Sequence, residues 1–140
     1  MVDFHQVFND SYARLNGDLS FFFDVFYQKF ATRSEDIARA FDSVDMARQK
    51  AMLESSFIYL TSFSATGKAD DDFLKLALMH RSMKRITPQM FDQWLESLLE
   101  TVAQLDPQYD GDVAMAWRVV TAPGLALMKY YELDAQERNL

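Results

Sequence analysis

Residues that interrupt regular structure are rare in this sequence. Only four glycines and three prolines occur among its 140 residues. The long windows between them space apolar residues at the helical intervals of three and four positions. No window requires a strand. The sequence therefore predicts an all-α domain that spans residues 1–140, without repeats or disordered linkers.

Composition and charge exclude several classes of partner. Hydrophobic residues make up 49% of the chain and aromatic residues 14%, far more than a disordered segment carries. The formal net charge of -7 argues against binding nucleic acid or docking on an anionic membrane. We find neither a signal-peptide pattern nor an apolar stretch long enough to span a membrane, so we expect a soluble, cytoplasmic protein.

Short polar segments predict where the helices begin and end. Three residues are expected to begin helices as N-caps, namely Asp18, Asp45 and Thr87. Asp70, Asp71 and Asp72 are expected to lie in the first turn of another helix, where the helix dipole favours negative charge. Gly67 is expected to cap the end of the long helix that Asp45 opens. The Phe-rich helix after Asp18, from Phe21 to Phe30, is apolar nearly all round, which predicts that it is buried. Pro123 predicts a kink in a last helix that runs from about residue 112 towards residue 134.

Few motifs in the chain point to chemistry. There is no glycine-rich loop that could hold a phosphate and no Gly-x-Ser-x-Gly motif, so nucleotide chemistry is not expected. The sequence contains no cysteine, so a metal ion would be held by histidine or by oxygen ligands.

His80 is the strongest candidate for a functional side chain. Phe73, Leu76 and Ala77 precede it by seven, four and three positions, so its imidazole projects from the buried face of a helix. Two interpretations remain open on this spacing. His80 is either a core histidine bonded to a backbone carbonyl or a neutral imidazole that ligates iron while an acceptor holds its other N–H. His5, near the chain terminus, is the weaker candidate.

Two further polar residues fall where apolar ones are expected. Gln49 follows Met46 by three positions and precedes Leu53 by four, and Tyr27 lies within the Phe-rich helix. Each must find a hydrogen-bond partner if it is buried. Taken singly, each is explained as a satisfied core residue, but together with an inward His80 they suggest a pocket.

The order and spacing of these residues match a known family. The pattern consists of Phe26-Tyr27, Phe41, Gln49, Leu53, His80, Ile86, Pro88, Phe91 and Trp94. It resembles the globin domain of bacterial single-domain haemoglobins and flavohaemoglobins over nearly the whole chain. The resemblance implies a globin fold of about seven to eight helices that enclose a heme pocket. It also implies heme b, iron protoporphyrin IX, as the cofactor.

The same resemblance implies a role for individual residues. His80 would be the proximal ligand of the heme iron, and Tyr27, Gln49 and Leu53 would lie on the distal side. There, a phenol O–H and an amide N–H can donate hydrogen bonds to a diatomic ligand. The residues implied to contact the heme are Phe41, Met46, Phe57, Ile86, Phe91, Trp94 and Leu98. No catalytic residue is assigned.

The sequence departs from flavohaemoglobins at two points. The segment between Phe41 and Gln49 is shorter, which leaves Met46 or Lys50 as alternatives to Gln49 near the iron. Phe91 stands where flavohaemoglobins have a tyrosine that polarises the proximal histidine, which weakens a peroxidase-like or reductase-coupled function.

The function implied by the resemblance is reversible binding of O2, with NO and CO expected at the same site, for oxygen storage, delivery or scavenging. One alternative is NO dioxygenation with electrons from a separate reductase, because the flavin and nicotinamide domains of flavohaemoglobins are absent from this sequence. Another is a gas-sensing or non-heme signalling module. Exposed aromatic residues would allow a homodimer, but no sequence pattern locates an interface.

Overall fold

A computed structural model of the protein describes residues 1–83 and 85–138. Within these residues the chain forms seven α-helices and one short 3-10 helix, Asn16–Asp18, with no strand. The α-helices are α1 Phe4–Leu15, α2 Leu19–Ala31, α3 Glu35–Ala40, α4 Met46–Thr66, α5 Asp71–Ser82, α6 Pro88–Leu105 and α7 Gly111–Arg138. The prediction of an all-α fold is therefore confirmed. No helix in the described part of the chain is both long and apolar enough to cross a membrane.

Side-chain caps fix most of the helix starts. The carboxylates of Asp18 and Asp45 each accept a hydrogen bond from a backbone N–H in the first turn of their helices, as predicted. Asp70, which was expected within the first turn of α5, instead caps that helix by accepting from the N–H of Phe73. Gly67 ends α4 in the left-handed conformation, with φ of 69°. Thr87 occupies the N-cap of α6, but its side chain makes no capping bond. That start therefore depends on Pro88, whose ring presets the helical φ angle.

Helix α7 continues without interruption through Pro123. Proline has no N–H, so the carbonyl of Val119, four residues earlier, loses its usual helical partner. The hydroxyl of Ser64 on α4 donates a hydrogen bond to that carbonyl at 2.9 Å. A side chain of the neighbouring helix thus replaces the missing bond, and α7 passes the proline.

Gly124 allows α7 to pack closely on its neighbours. A Cβ atom at this position would overlap the side chain of Leu60 on α4 and lie 3.2 Å from the ring of Phe73 on α5. The closeness of α4, α5 and α7 therefore depends on the absence of a side chain here.

Aromatic side chains dominate the core. Helix α2 buries most of its phenylalanines, but Phe21 is 50% exposed, so the prediction that this helix is buried nearly all round is wrong at that position. The fully buried Trp117 of α7 packs edge-on against Phe8 of α1, with ring centroids 4.7 Å apart, and also contacts Phe57 of α4. These contacts join the first, fourth and seventh helices around one aromatic cluster.

A buried polar network ties α1 to the turn between α6 and α7. The indole N–H of Trp117 donates to the Ser11 hydroxyl at 2.9 Å, and that hydroxyl donates to the carboxylate of Asp106 at 2.6 Å. Arg14 donates to both carboxylate oxygens of Asp106 at 2.8 Å. The backbone N–H of Gln108 adds a further bond at 2.9 Å. Asp106 is therefore held by four donated hydrogen bonds while only 3% exposed.

Candidate functional site

An apolar cavity of about 150 Å³ lies among the helices from α2 to α7. Its wall is largely aromatic and aliphatic, and the lining residues whose side chains carry hydrogen-bonding groups are Tyr27, Gln49, Ser56, His80 and Trp94. A mostly apolar cavity with a few convergent polar groups has the character of a ligand site.

Helix α5 presents His80 to the cavity. The Nδ1 atom of His80 lies 2.9 Å from the backbone carbonyl oxygen of Leu76, one turn earlier on the same helix. Because a carbonyl oxygen only accepts hydrogen bonds, Nδ1 carries the proton and Nε2 keeps a free lone pair. None of the residues that the structure describes forms a hydrogen bond with Nε2.

The protonation state of His80 follows from its surroundings. Burial lowers the pKa of the imidazole below 6.5, and the hydrogen bond to Leu76 offsets only part of this shift. The ring of Phe91, from α6, packs beside it with centroids 6.2 Å apart. At neutral pH, His80 is thus an uncharged imidazole of fixed tautomer, the form in which histidine ligates metals.

Tyr27 of α2 forms part of another wall of the cavity. Its hydroxyl donates a hydrogen bond to the backbone carbonyl of Gln49 on α4 at 3.3 Å. Burial raises the pKa of Tyr27 to about 12, although the nearby Gln49 side chain lowers it to a smaller extent. The phenol is therefore protonated and a hydrogen-bond donor at any physiological pH. The ring of Phe41 packs edge-on against it at 5.5 Å.

Gln49 and Leu53 of α4 line the cavity beside Tyr27. Leu53 is buried, and Gln49 is partly exposed. Lys50, one of the alternatives to Gln49, forms an ion pair with Asp24 instead and does not line the cavity. Met46, the other alternative, is partly buried against the core and is also absent from the cavity wall.

Eight of the eleven residues that the sequence assigned to the site meet at this one cavity, namely Tyr27, Phe41, Gln49, Leu53, His80, Ile86, Phe91 and Trp94. Three others, Met46, Phe57 and Leu98, do not line it. Phe57 instead packs against Trp117 with ring centroids 6.0 Å apart, and Leu98 is fully buried in the core.

Sequence reasoning missed several residues of the cavity wall. Three methionines from three different helices line it, namely Met52, Met90 and Met128. Leu125 of α7 also contributes to this wall. In sequence these residues follow the ordinary spacing of a helix core, and no local signal separates a residue that faces a cavity from one that packs against another side chain.

The donor set of the cavity restricts what it could hold. Across the described residues, no group of three or more histidine, aspartate or glutamate side chains could bind a metal ion. The cavity therefore offers one imidazole nitrogen beside an apolar space. Such a site suits a metal whose remaining ligands come from a bound organic group.

The fold and about a third of the aligned sequence are shared with a protein of known structure. Protein PA3967 from Pseudomonas aeruginosa PAO1, whose crystal structure is described as structurally highly homologous to a human hemoglobin, is 32% identical to this chain. The match covers 93% of this chain and 98% of PA3967, with a TM-score of 0.83. No protein-family model matches the sequence, and no curated protein matches it.

Proposed function

The chain belongs to the bacterial single-domain globins, and from this premise we propose that it binds heme b through His80 and thereby binds O2 reversibly. One observation carries the proposal: the lone pair of Nε2 of His80 is unpaired beside an apolar cavity, while Nδ1–H is held by Leu76. This is the arrangement in which a histidine can hold the iron of a macrocycle.

The other residues of the cavity fit a flat apolar group. The aromatic rings of Phe41, Phe91 and Trp94 offer broad surfaces against which a porphyrin can pack. Ile86 and Leu53 add aliphatic surface. Among the described residues that line the cavity, the His80 imidazole is the only nitrogen base, so it is the residue that would ligate the heme iron.

The heme would supply an iron that coordinates small diatomic molecules, including O2, NO and CO. The chain would supply hydrogen bonds and exclude water. Tyr27 can turn its O–H from the Gln49 carbonyl towards a ligand, because that hydrogen bond is long, at 3.3 Å. Gln49 lines the same cavity as Tyr27, so its amide N–H could act as a second donor there.

Hydrogen-bond donors favour a ligand that accepts hydrogen bonds. Tyr27 and Gln49 would donate hydrogen bonds more strongly to O2 than to the less polar CO, so these two residues should favour O2 and slow its release. In an apolar cavity such bonds are stronger than in water. High affinity for O2 is therefore part of the proposal.

Absorption spectroscopy of the protein purified with heme supplied would test the proposal. We expect a strong Soret band, and a reduced form that binds both O2 and CO. His80→Ala should lose the proximal ligand and these spectra, while His5→Ala serves as the matched control and should keep them. If the wild-type protein took up no heme in stoichiometric amount, the proposal would fail. If His80→Ala kept the wild-type spectra, His80 would not be the ligand.

A further inference from the structure

A surface groove runs between α4 and α5 beside the cavity. It shares three lining residues with the cavity, Met52, Ser56 and Leu76, so the two spaces adjoin the same side chains. Arg48 of α4 and Lys75 of α5 also line the groove. We propose that these two cations bind the two carboxylate groups of the heme. The proposal rests on the function proposed above.

The positions of the two helices support this assignment. Helix α4 contributes Gln49 and Leu53 to the cavity, and α5 contributes His80. A planar ligand held between these side chains would face α4 on one side and α5 on the other, so part of its edge would reach the groove between the two helices. Arg48 directly precedes Gln49, and Lys75 directly precedes the shared residue Leu76. Arg48 and Lys75 therefore lie on the two helices that would border the edge of the heme.

The charges of the groove also fit two carboxylates. Arg48 and Lys75 are exposed, and neither forms an ion pair with any residue that the structure describes. One acidic residue, Asp72, lines the same groove. Arginine and lysine are the residues that form charge-assisted hydrogen bonds with carboxylates. In a chain with a formal net charge of -7, two unpaired cations beside the cavity are available for an anionic ligand.

A second basic depression lies elsewhere and fits less well. It is lined by Asp36 and Arg39 of α3 and by Arg85, and it shares no lining residue with the cavity. Arg39 is already engaged, since its guanidinium lies 3.5 Å from carboxylate oxygens of both Glu35 and Asp36. The groove between α4 and α5 is therefore the better site for the heme carboxylates.

Heme loss from the loaded protein provides the test. We would load the protein with heme or with heme dimethyl ester, whose carboxylates are blocked, and measure transfer to an excess of a heme-scavenging apoprotein. Wild-type protein should release the ester about three- to tenfold faster than heme, the range expected when exposed ion pairs are lost. The double variant R48Q/K75Q should release heme about as fast as the ester. The matched control R39Q/R85Q should keep the wild-type difference between the release rates of the ester and of heme.

The possible results distinguish failure of the assignment of Arg48 and Lys75 from failure of the proposed function. If R48Q/K75Q retained the wild-type ratio of ester release to heme release, the assignment would be overturned. The same conclusion would follow if R39Q/R85Q abolished the ratio. Failure of wild-type protein to take up heme and its ester alike would instead refute the proposed function. A faster release of heme and ester by the same factor in R48Q/K75Q would mean that the two residues act through stability, which would also overturn the assignment.

Discussion

The Nδ1 atom of His80 lies 2.9 Å from the carbonyl oxygen of Leu76, four residues earlier on α5. The partner that orients the imidazole therefore comes from the same helix and needs no side chain from another element. Since Leu76 also lines the cavity, one turn of α5 supplies both the ligand candidate and the acceptor that fixes its tautomer.

We expect the stability of the heme-free protein to depend on the protonation of His80. Its pKa in the folded chain is below the ordinary value of 6.5 because the imidazole is buried. Between these two values the unfolded chain binds a proton that the folded chain does not. The contribution of His80 therefore lowers the free energy of unfolding as the pH falls below about 6.5.

Urea denaturation of the heme-free protein between pH 7.5 and about pH 5 would measure this dependence. His80→Asn removes the titrating group and should therefore weaken the dependence of the free energy of unfolding on pH. His5→Asn is the matched control. If His80→Asn and the wild-type protein lost stability in parallel over this range, the burial of a neutral His80 would be contradicted.

Tyr27 is predicted to slow the release of O2. Tyr27→Phe removes the O–H but keeps the ring that packs against Phe41, so the change should affect hydrogen bonding more than packing. We expect the O2 dissociation rate, measured by stopped flow, to rise about tenfold, which corresponds to about 1.4 kcal/mol for one hydrogen bond in an apolar site. Because the pKa of Tyr27 is about 12, the wild-type rate should not change between pH 7 and about pH 10 through this group.

Gln49→Leu provides the comparison for Tyr27→Phe. If the amide acts as a second donor, its loss should also raise the dissociation rate. If it merely fills space, Gln49→Leu should leave the rate unchanged. An unchanged rate in Tyr27→Phe would rule out the phenol as a donor, whatever Gln49 does.

Local signals in the sequence were sufficient for the helices and for much of the site. Acidic N-caps such as Asp45 and the C-cap Gly67 act through contacts within a few residues, so they can be identified without the fold. The spacing around His80 was enough to place its side chain on an inward face. It left two interpretations open, and the hydrogen bond to Leu76 is compatible with both.

Features that depend on how helices cross could not be predicted. Phe57 and Met52 both lie on α4, yet only Met52 lines the cavity, because Phe57 is taken up by the cluster around Trp117. Likewise, the continuity of α7 through Pro123 depends on the Ser64 hydroxyl of another helix. Such pairs are distant in sequence and become visible only in the assembled fold.

Asp106 is predicted to stabilise the fold by joining α1 to the turn before α7. Burial would raise its pKa, but hydrogen bonds from Arg14, Ser11 and the backbone of Gln108 together lower it below 3.8. Asp106→Ala should reduce the free energy of unfolding by about 3 kcal/mol, since it leaves Arg14 without its partner. Denaturant unfolding at pH 7 would measure the loss.

The ion pair between Asp92 and Lys129 offers a matched control for Asp106, because Asp92 is exposed. Asp92→Ala should cost less than about 1 kcal/mol. The stabilisation by Asp106 is present above pH 3.8 and is lost as the pH falls through its lower folded pKa. The difference between wild-type protein and Asp106→Ala should therefore shrink in strong acid. Equal costs for the two variants at pH 7 would contradict the special role of the buried carboxylate.

Gly124 is predicted to set the distance between α7 and the cavity. Gly124→Ala adds a methyl group that overlaps Leu60 and presses on Phe73, and both of these residues line the cavity. Overpacking of this kind should reduce the free energy of unfolding by about 1–3 kcal/mol, more than a helical alanine gains over glycine. The displaced side chains should also speed the loss of heme.

Gly17→Ala is the matched control, since a Cβ at position 17 meets no atom within 4 Å. If denaturant unfolding found Gly124→Ala as stable as Gly17→Ala, Leu60 would have room to move aside and α7 would not depend on the glycine for its close approach.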